Sequence, residues 1–487
     1  MDTPDSTDST DTTATTTGTT GTTGTDGAAR HYDLVIIGAG SGNMMLGEFD
    51  HSDWKVAIVD SGRFGGTCLN VGCIPSKILV YTADMADHVR EAERFGVSAH
   101  VDGIDWTSIQ ARLWNRIDPI HQSGVDYRRA NGIDVYQDHA QFVGHKRLQV
   151  GAVEITADRF VLAAGARTIV PAIPGLDTVP FHTSDTVMRL PSVPEHLVVL
   201  GAGFIACELG HVYAALGAKV TIVTRGPLVL SHEDHDVARY ATTQVQRWAD
   251  LVTEARALAV RGGPDHVELD VDTPDGPRTI TGSTLLVAVG RRPNGDDLGV
   301  EATGVRLDDA GCVIVDDTNA TGVDGIWALG DIVGRTQLKH MANLEARLVA
   351  HNLRADAPRA LDRRAAPHAV FTTPQIGAVG LTEAAARALG RPICVVTHGY
   401  GNTAYGWAMQ DDDSFVKLIG DPATRRLLGA HVVGPQAASL VQLLVQGMHL
   451  DATVDDLAAG QIYIHPALTE VVEQALLELV KEFDAQL

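Results

Sequence analysis

Short runs rich in valine, isoleucine and leucine, each stopped by a glycine or a polar residue, are the dominant pattern along this chain. HYDLVIIG (His31–Gly38) and WKVAIVD (Trp54–Asp60) form one pair, and HLVVLG (His196–Gly201) and KVTIVTRG (Lys219–Gly226) form a second. Runs of this length and composition predict buried strands. The first run of each pair leads into a glycine turn, GAGSGN (Gly38–Asn43) or GAGFIA (Gly201–Ala206), where a helix is expected to begin. Further on, FVKLIGD (Phe415–Asp421) and LLGAHVVG (Leu427–Gly434) predict strands, with amphipathic helices after them. No apolar run approaches the roughly 18 residues of a membrane span.

The first thirty residues break the pattern. They are mostly Thr, Gly and Asp, with no apolar cluster, so a disordered tail is expected over 1–30. The tail also lacks the basic start and apolar centre of a secretory signal. At 487 residues the chain has room for two to four domains. A net charge of −23 argues against a nucleic-acid partner. Five cysteines do not make a secreted disulfide scaffold, and a reducing, cytoplasmic setting is expected.

The glycine turns carry the first chemistry. Gly38 and Gly40 would let the backbone approach a dinucleotide pyrophosphate at a helix start, although Asn43 takes the place of the third fingerprint glycine. Asp60 closes the next strand, where it can hydrogen-bond a ribose. The second turn offers Gly201, Gly203 and Ala206, but its second strand ends in Thr224-Arg225 with no acid. An acid there would repel a ribose 2′-phosphate and Arg225 would pair with it, which favours NADPH over NADH. Two sites of different character imply two cofactors, and electrons passing from NADPH to a flavin would fit them.

GGTCLNVGCIPSK (Gly65–Lys77) sets Cys68 and Cys73 five residues apart. Such a pair could be structural, bind a metal or carry redox chemistry. A zinc site would need a second pair, which the chain does not offer. In an ideal helix residues five apart rise about 7.5 Å, beyond the usual disulfide Cα separation of up to about 6.8 Å. A helix distorted at Gly72 is therefore expected, and a bond held there is more easily reduced than an inert staple.

This segment resembles the redox-active segment of the pyridine nucleotide–disulfide oxidoreductases, a family that includes glutathione reductase, dihydrolipoamide dehydrogenase and mercuric reductase. The likeness runs over essentially all of residues 31–487. It implies that Cys73 lies against the flavin, that Cys68 attacks the substrate disulfide, and that Lys77 sits by the flavin paired with Glu208. It implies an FAD site of Gly38, Gly40, Ser41, Gly42, Asp60, Gly66, Thr67, Gly165 (in AAG, Ala163–Gly165) and Asp331 (in ALGDI, Ala328–Ile332). The implied NADPH site is Gly201, Gly203, Ala206, Thr224, Arg225 and Gly290, the last in VGRRPN. IHPALTE (Ile464–Glu470) has His465 and Glu470 at the family's spacing. In the family that histidine reaches the partner's cysteines, so a homodimer is expected.

The implied fold class is α/β, with two Rossmann-like dinucleotide-binding domains and an α+β C-terminal dimerisation domain. The expected division is an FAD domain at 31–165, an NADPH domain at 166–291, a central segment at 292–362 returning to FAD, and an interface domain at 363–487. No cysteine follows Cys394, which disfavours relatives with a C-terminal cysteine relay, and Glu48 and Phe49 stand where glutathione reductases place arginines. Ser41-Gly42-Asn43, RIDPI (Arg116–Ile120), HTSDTVMRL (His182–Leu190), AYGWAM (Ala404–Met409) and GQIYIHPAL (Gly460–Leu468) resemble the mycothione-reducing branch. Mycothione is the disulfide of a sugar-linked thiol without free carboxylates, which suits a site lacking those arginines. The alternatives are another small disulfide (bis-γ-glutamylcystine or glutathione disulfide), dihydrolipoamide dehydrogenase activity, or a flavin-bound interaction protein. Cys207, Cys312 and Cys394 are expected to pack in cores.

Overall fold

The computed structural model describes residues 29–486. The expected tail lies outside them except for its last two residues, and Arg30 already opens the strand Arg30–Ile37. That strand is central to a parallel group, with Val56–Val59 and then Asp134–Tyr136 on one side and Val153–Leu162 on the other. Val56–Val59 is buried throughout, as the apolar run required, because parallel strands are covered on both faces. Arg147–Val150 and Ala140–Gly144 extend the sheet antiparallel. Much later in the chain, Ile326–Ala328 returns to pair with Phe160–Leu162.

Between these stretches lies a second unit. His196–Leu200 sits between Lys219–Val223 and Thr284–Val287, with Asp250–Val252 at the edge, all parallel. A three-stranded meander, Arg256–Gly263, His266–Thr273 and Gly276–Gly282, follows. Ala166–Thr168 and Arg291–Pro293 pair antiparallel, so the chain enters and leaves this unit side by side.

The last unit is a five-stranded antiparallel sheet, in order Pro367–Val370, Ile376–Gly380, Arg426–Val433, Phe415–Asp421 and Cys394–Gly399. The helices Ala437–His449 and Thr469–Asp484 bury their apolar faces against it. Lys417, 2% exposed on this sheet, reaches Asp234 at 2.8 Å, Asp236 at 2.7 Å and Glu383 at 2.7 Å. A buried ammonium needs such partners, and the first two belong to the cap and first turn of the helix His235–Val245 in the second unit.

Two sequence expectations change. The first glycine turn leads into a six-residue 3-10 helix, Gly42–Gly47, and not an α-helix. Glycines at both its ends favour so short an element. Cys207 and Cys394 are buried as expected, but Cys312 is only half-buried, since it follows a turn at Gly311 and does not face a core. Among the described residues no helix is long and apolar enough to cross a membrane.

Candidate active site

The two glycine turns share one geometry. Gly38 and Gly201 both have φ +116°, and a Cβ on either would strike a carbonyl, Ala163 O at 2.1 Å or Ala288 O at 2.3 Å. These glycines make the turn. The second glycines are different. Neither Gly40 nor Gly203 has positive φ, and a Cβ there would meet only Gly66 Cα at 3.7 Å or nothing within 4 Å. Neither conformation nor packing demands glycine at these places, whereas close approach by a dinucleotide phosphate does, so the residues present fit FAD and NADPH.

Gly42 supplies the close contact that the missing third glycine would have made. A Cβ on it would lie 2.4 Å from Ala163 Cβ, while Asn43 turns its Oδ1 to accept from Arg128 Nε at 2.9 Å. Asp60 accepts from Ala39 N and Gly62 N, each at 2.6 Å, which braces the turn and leaves lone pairs for a ribose. Gly66 faces Gly40, and Thr67 is exposed beside it. Gly165 has open space around its α-carbon, and Gly290 has only Ile169 near. Asp331 lies in the 3-10 helix Gly330–Val333, where burial pushes its carboxyl pKa up. In the second unit Ala206 is buried on the helix Phe204–Ala215, and Thr224 and Arg225 follow the strand end, Arg225 exposed.

The cysteine segment breaks where expected. Cys68 lies on the short helix Gly66–Asn70, and Cys73 opens the helix Cys73–Glu91. Gly72 is the joint, and a Cβ on it would come within 2.9 Å of Thr67 O. Both cysteines are free. The neighbouring Cys68 thiol, aided by Lys77 and Lys339, lowers the Cys73 pKa to about 7 against burial, and the Cys68 pKa is pushed far up. The helix N-terminus beneath Cys73 favours the same anion.

Lys77 Nζ lies 2.5 Å from Glu208 Oε2 and over the Phe371 ring at 4.5 Å. The buried Glu208 also accepts from Phe371 N at 2.9 Å, so one carboxylate ties together three parts of the chain. At the far end, His465 Nδ1 lies 2.7 Å from Glu470 Oε1. Glu470, its pKa lowered by that bond, also accepts from Ala467 N at 3.2 Å. The carboxylate fixes Nδ1 as donor, which leaves Nε2 to take and give a proton. The imidazole is 72% exposed.

Residues 32–346 match the family model described as pyridine nucleotide-disulphide oxidoreductase, and 366–476 match that family's dimerisation domain. The chain belongs to this family. It is 47% identical over 461 residues to the mycothione reductase of Mycobacterium tuberculosis, covering 92% of this chain and 99% of that one. It is 33% identical to a dihydrolipoyl dehydrogenase of Haloferax volcanii, covering 91% and 95%. Among solved structures, the Cu(II) complex of the HOCl-induced flavoprotein disulfide reductase RclA from Escherichia coli matches with TM-score 0.81 and 28% identity, over 92% of this chain and all of that one. The expected likeness to the mycothione-reducing branch is thus met.

Two of the branch-like stretches meet in the fold. Asp118 of RIDPI accepts from Arg189 of HTSDTVMRL at 2.6 Å and from Arg63 at 2.9 Å. Arg189 also stacks 3.5 Å over Trp114, and Trp106 donates to Leu190 O at 2.9 Å. These residues clamp the long helix Trp106–Ala130 to the segment entering the second unit. Sequence reading also missed Lys339, the first residue of the helix Lys339–Asn352. Its signal was a lysine at a helix N-terminus, against the macrodipole.

Proposed function

We propose that this protein is an FAD-dependent, NADPH-driven reductase that converts mycothione to mycothiol through Cys68 and Cys73. The observation that carries the chemistry is the cysteine pair at the head of its helix, with the Lys77–Glu208 pair one turn on. The 47% identity to a mycothione reductase over nearly the whole chain supports the substrate. FAD is assigned to Gly38, Gly40, Ser41, Gly42, Asp60, Gly66, Thr67, Gly165 and Asp331, within 31–165 and the returning segment 292–362. NADPH is assigned to Gly201, Gly203, Ala206, Thr224, Arg225 and Gly290, chiefly within 166–291. When bound, the flavin supplies a two-electron relay between nicotinamide and the cysteine pair.

The protein groups divide the remaining work. Free Cys68 and Cys73 represent the reduced pair. Within one chain the anion sits on Cys73 and the Cys68 thiol is held protonated, so the attacking sulfur needs a base from outside. In a homodimer joined through 363–487, the partner's His465 takes the Cys68 proton. Cys68 Sγ attacks one sulfur of mycothione, the substrate S–S bond breaks, and the leaving thiolate recovers that proton from the imidazole. Cys73 then attacks Cys68 Sγ, the Cys68–Cys73 bond closes, and the second mycothiol leaves as a thiolate that takes its proton from solvent. The net reaction is NADPH, a proton and a disulfide to NADP⁺ and two thiols, which suits a reducing cytoplasm. Ile462 and Ile464, 98% and 74% exposed beside His465, support a partner surface at this end.

NADPH oxidation by the purified holoenzyme tests the substrate, comparing mycothione with glutathione disulfide, lipoamide and bis-γ-glutamylcystine. The expected kcat/KM for mycothione exceeds the others by roughly tenfold or more. A higher value for any other disulfide overturns the substrate while leaving a disulfide reductase.

A further inference from the structure

The helix Phe204–Ala215 is buried along most of its length, yet two of its buried side chains are ionisable. Glu208 belongs to the Lys77 pair already described. His211, one turn further on and 2% exposed, takes no part in that pair. Its Nε2 lies 2.8 Å from Asp87 Oδ2 on the helix Cys73–Glu91, and its ring meets Trp248 edge-on at 5.8 Å. Nδ1 is buried with no hydrogen-bond partner among the described residues. Cys207, Leu209 and Val212 beside it belong to an apolar cluster, where a leucine would pack without any polar group to desolvate. A buried imidazole with one nitrogen unpaired is a cost to stability, so what the Asp87 bond supplies is direction.

These two helices hold the two ends of the electron path. Cys73 heads one, and the other begins in the second glycine turn, assigned above to NADPH. Leu79 and Ala83 share an apolar cluster with Cys207 and Leu209, and packing of that kind is non-directional. The polar contacts are directional, and they run in opposite senses. Lys77 reaches Glu208 at 2.5 Å, base to acid, and Asp87 reaches His211 at 2.8 Å, acid to base. Lys77, Asp84 and Asp87 recur at helical spacing on one face, as Glu208 and His211 do on the other helix. One such contact leaves a helix free to turn about it, and two fix its register. The segment Phe371–Thr373 joins both helices, through Phe371 N to Glu208 at 2.9 Å and Thr373 Oγ1 to Asp84 at 3.2 Å. We propose that His211 is a positioning residue: bonded to Asp87, it sets the register of the NADPH-turn helix on the cysteine helix, and with it the placement of the nicotinamide relative to the flavin. This rests on the cofactor sites proposed above. The thiol half of the reaction uses Cys68, Cys73 and the partner's His465, none of them on the helix Phe204–Ala215, so His211 serves the NADPH half alone.

The test reads the two half-reactions of the holoenzyme separately by rapid-mixing absorbance: flavin reduction by NADPH, and reoxidation of the reduced enzyme by mycothione. Calorimetric titration with NADP⁺ gives binding without turnover. His211→Leu removes the bond to Asp87 at similar volume, and His211→Gln keeps a donor for it. In His211→Leu flavin reduction is expected to slow roughly tenfold, since a small misplacement of reacting groups is costly. Reoxidation by mycothione and the Kd for NADP⁺ are expected to stay within about twofold, and His211→Gln to recover most of the lost rate. Asp87→Ala is expected to match His211→Leu, and replaces it if the leucine variant does not fold. Unchanged flavin reduction overturns the proposal, as does equal slowing of both half-reactions, a Kd that weakens in step with the rate, or a glutamine variant as slow as the leucine one. If NADPH does not bleach the wild-type flavin, the proposed function itself fails, and this inference falls with it.

Discussion

At the start of the helix Cys73–Glu91, the neighbouring Cys68 thiol brings the Cys73 pKa from its ordinary 9.0 to about 7. The contacts that favour the thiolate are therefore fully felt above about pH 9 and lost as pH falls through about 7. The charge-transfer absorbance of the reduced holoenzyme is expected to fade on that descent. In Cys68→Ala that thiol is gone, so the fading moves to higher pH while turnover drops roughly 10³-fold or more. An unmoved midpoint would show that Cys68 does not hold the anion. Cys68 and Cys73 were legible in the sequence because reactive residues of this type are scarce and closely spaced. Which sulfur holds the anion more readily was not, because it depends on the break at Gly72, which puts Cys73 at a helix start. Lys339 went unseen for a related reason: its relation to Ser41 spans 298 positions of chain.

The strands were the most readable elements, since short apolar runs have few other ways to be buried. Helix type was less so. The turn at Gly38–Asn43 announces a helix, but Gly42 and Gly47 leave a 3-10 segment. RIDPI and HTSDTVMRL read as family markers, and their partnership through Asp118 appears only when the helix Trp106–Ala130 lies against the segment before the second unit. Asp118→Ala is expected to lower stability by about 1 kcal/mol in urea melts, a modest value because the ion pairs are partly solvated. The KM for the disulfide is expected to stay within about twofold, as nothing is removed from a binding site. A much larger rise in KM would place RIDPI in the pocket.

For the whole molecule, the proposed acceptor of the Cys68 proton belongs to a second chain. His465 and Glu470 form a hydrogen-bonded unit on the C-terminal domain, with the imidazole facing solvent and the carboxylate largely buried behind it. Complementation separates a cross-subunit site from one within a chain. Cys68→Ala and His465→Ala homodimers are both expected to be nearly inactive. Co-expressed and purified as a heterodimer with different tags, the two chains are expected to recover about half of wild-type activity, because one of two symmetric sites keeps both residues. No recovery would place cysteines and histidine in the same chain's site. His465→Ala alone is expected to slow the thiol half-reaction while leaving flavin reduction by NADPH near normal, as rapid-mixing absorbance would read.

The amino-acid sequence by itself determined the strands, both glycine turns and the closely spaced pair of candidate sulfurs, because these depend on residues close together in the chain. Backbone conformation, apolar periodicity and side-chain chemistry act at that range. The tertiary structure decided the rest: that Gly42 does the work of a missing glycine, that Glu208 and Phe371 engage Lys77, that Lys417 ties two units together, and that Lys339 reaches Ser41. Each depends on desolvation and on partners contributed by distant segments, which arise only once the sheets and helices have packed.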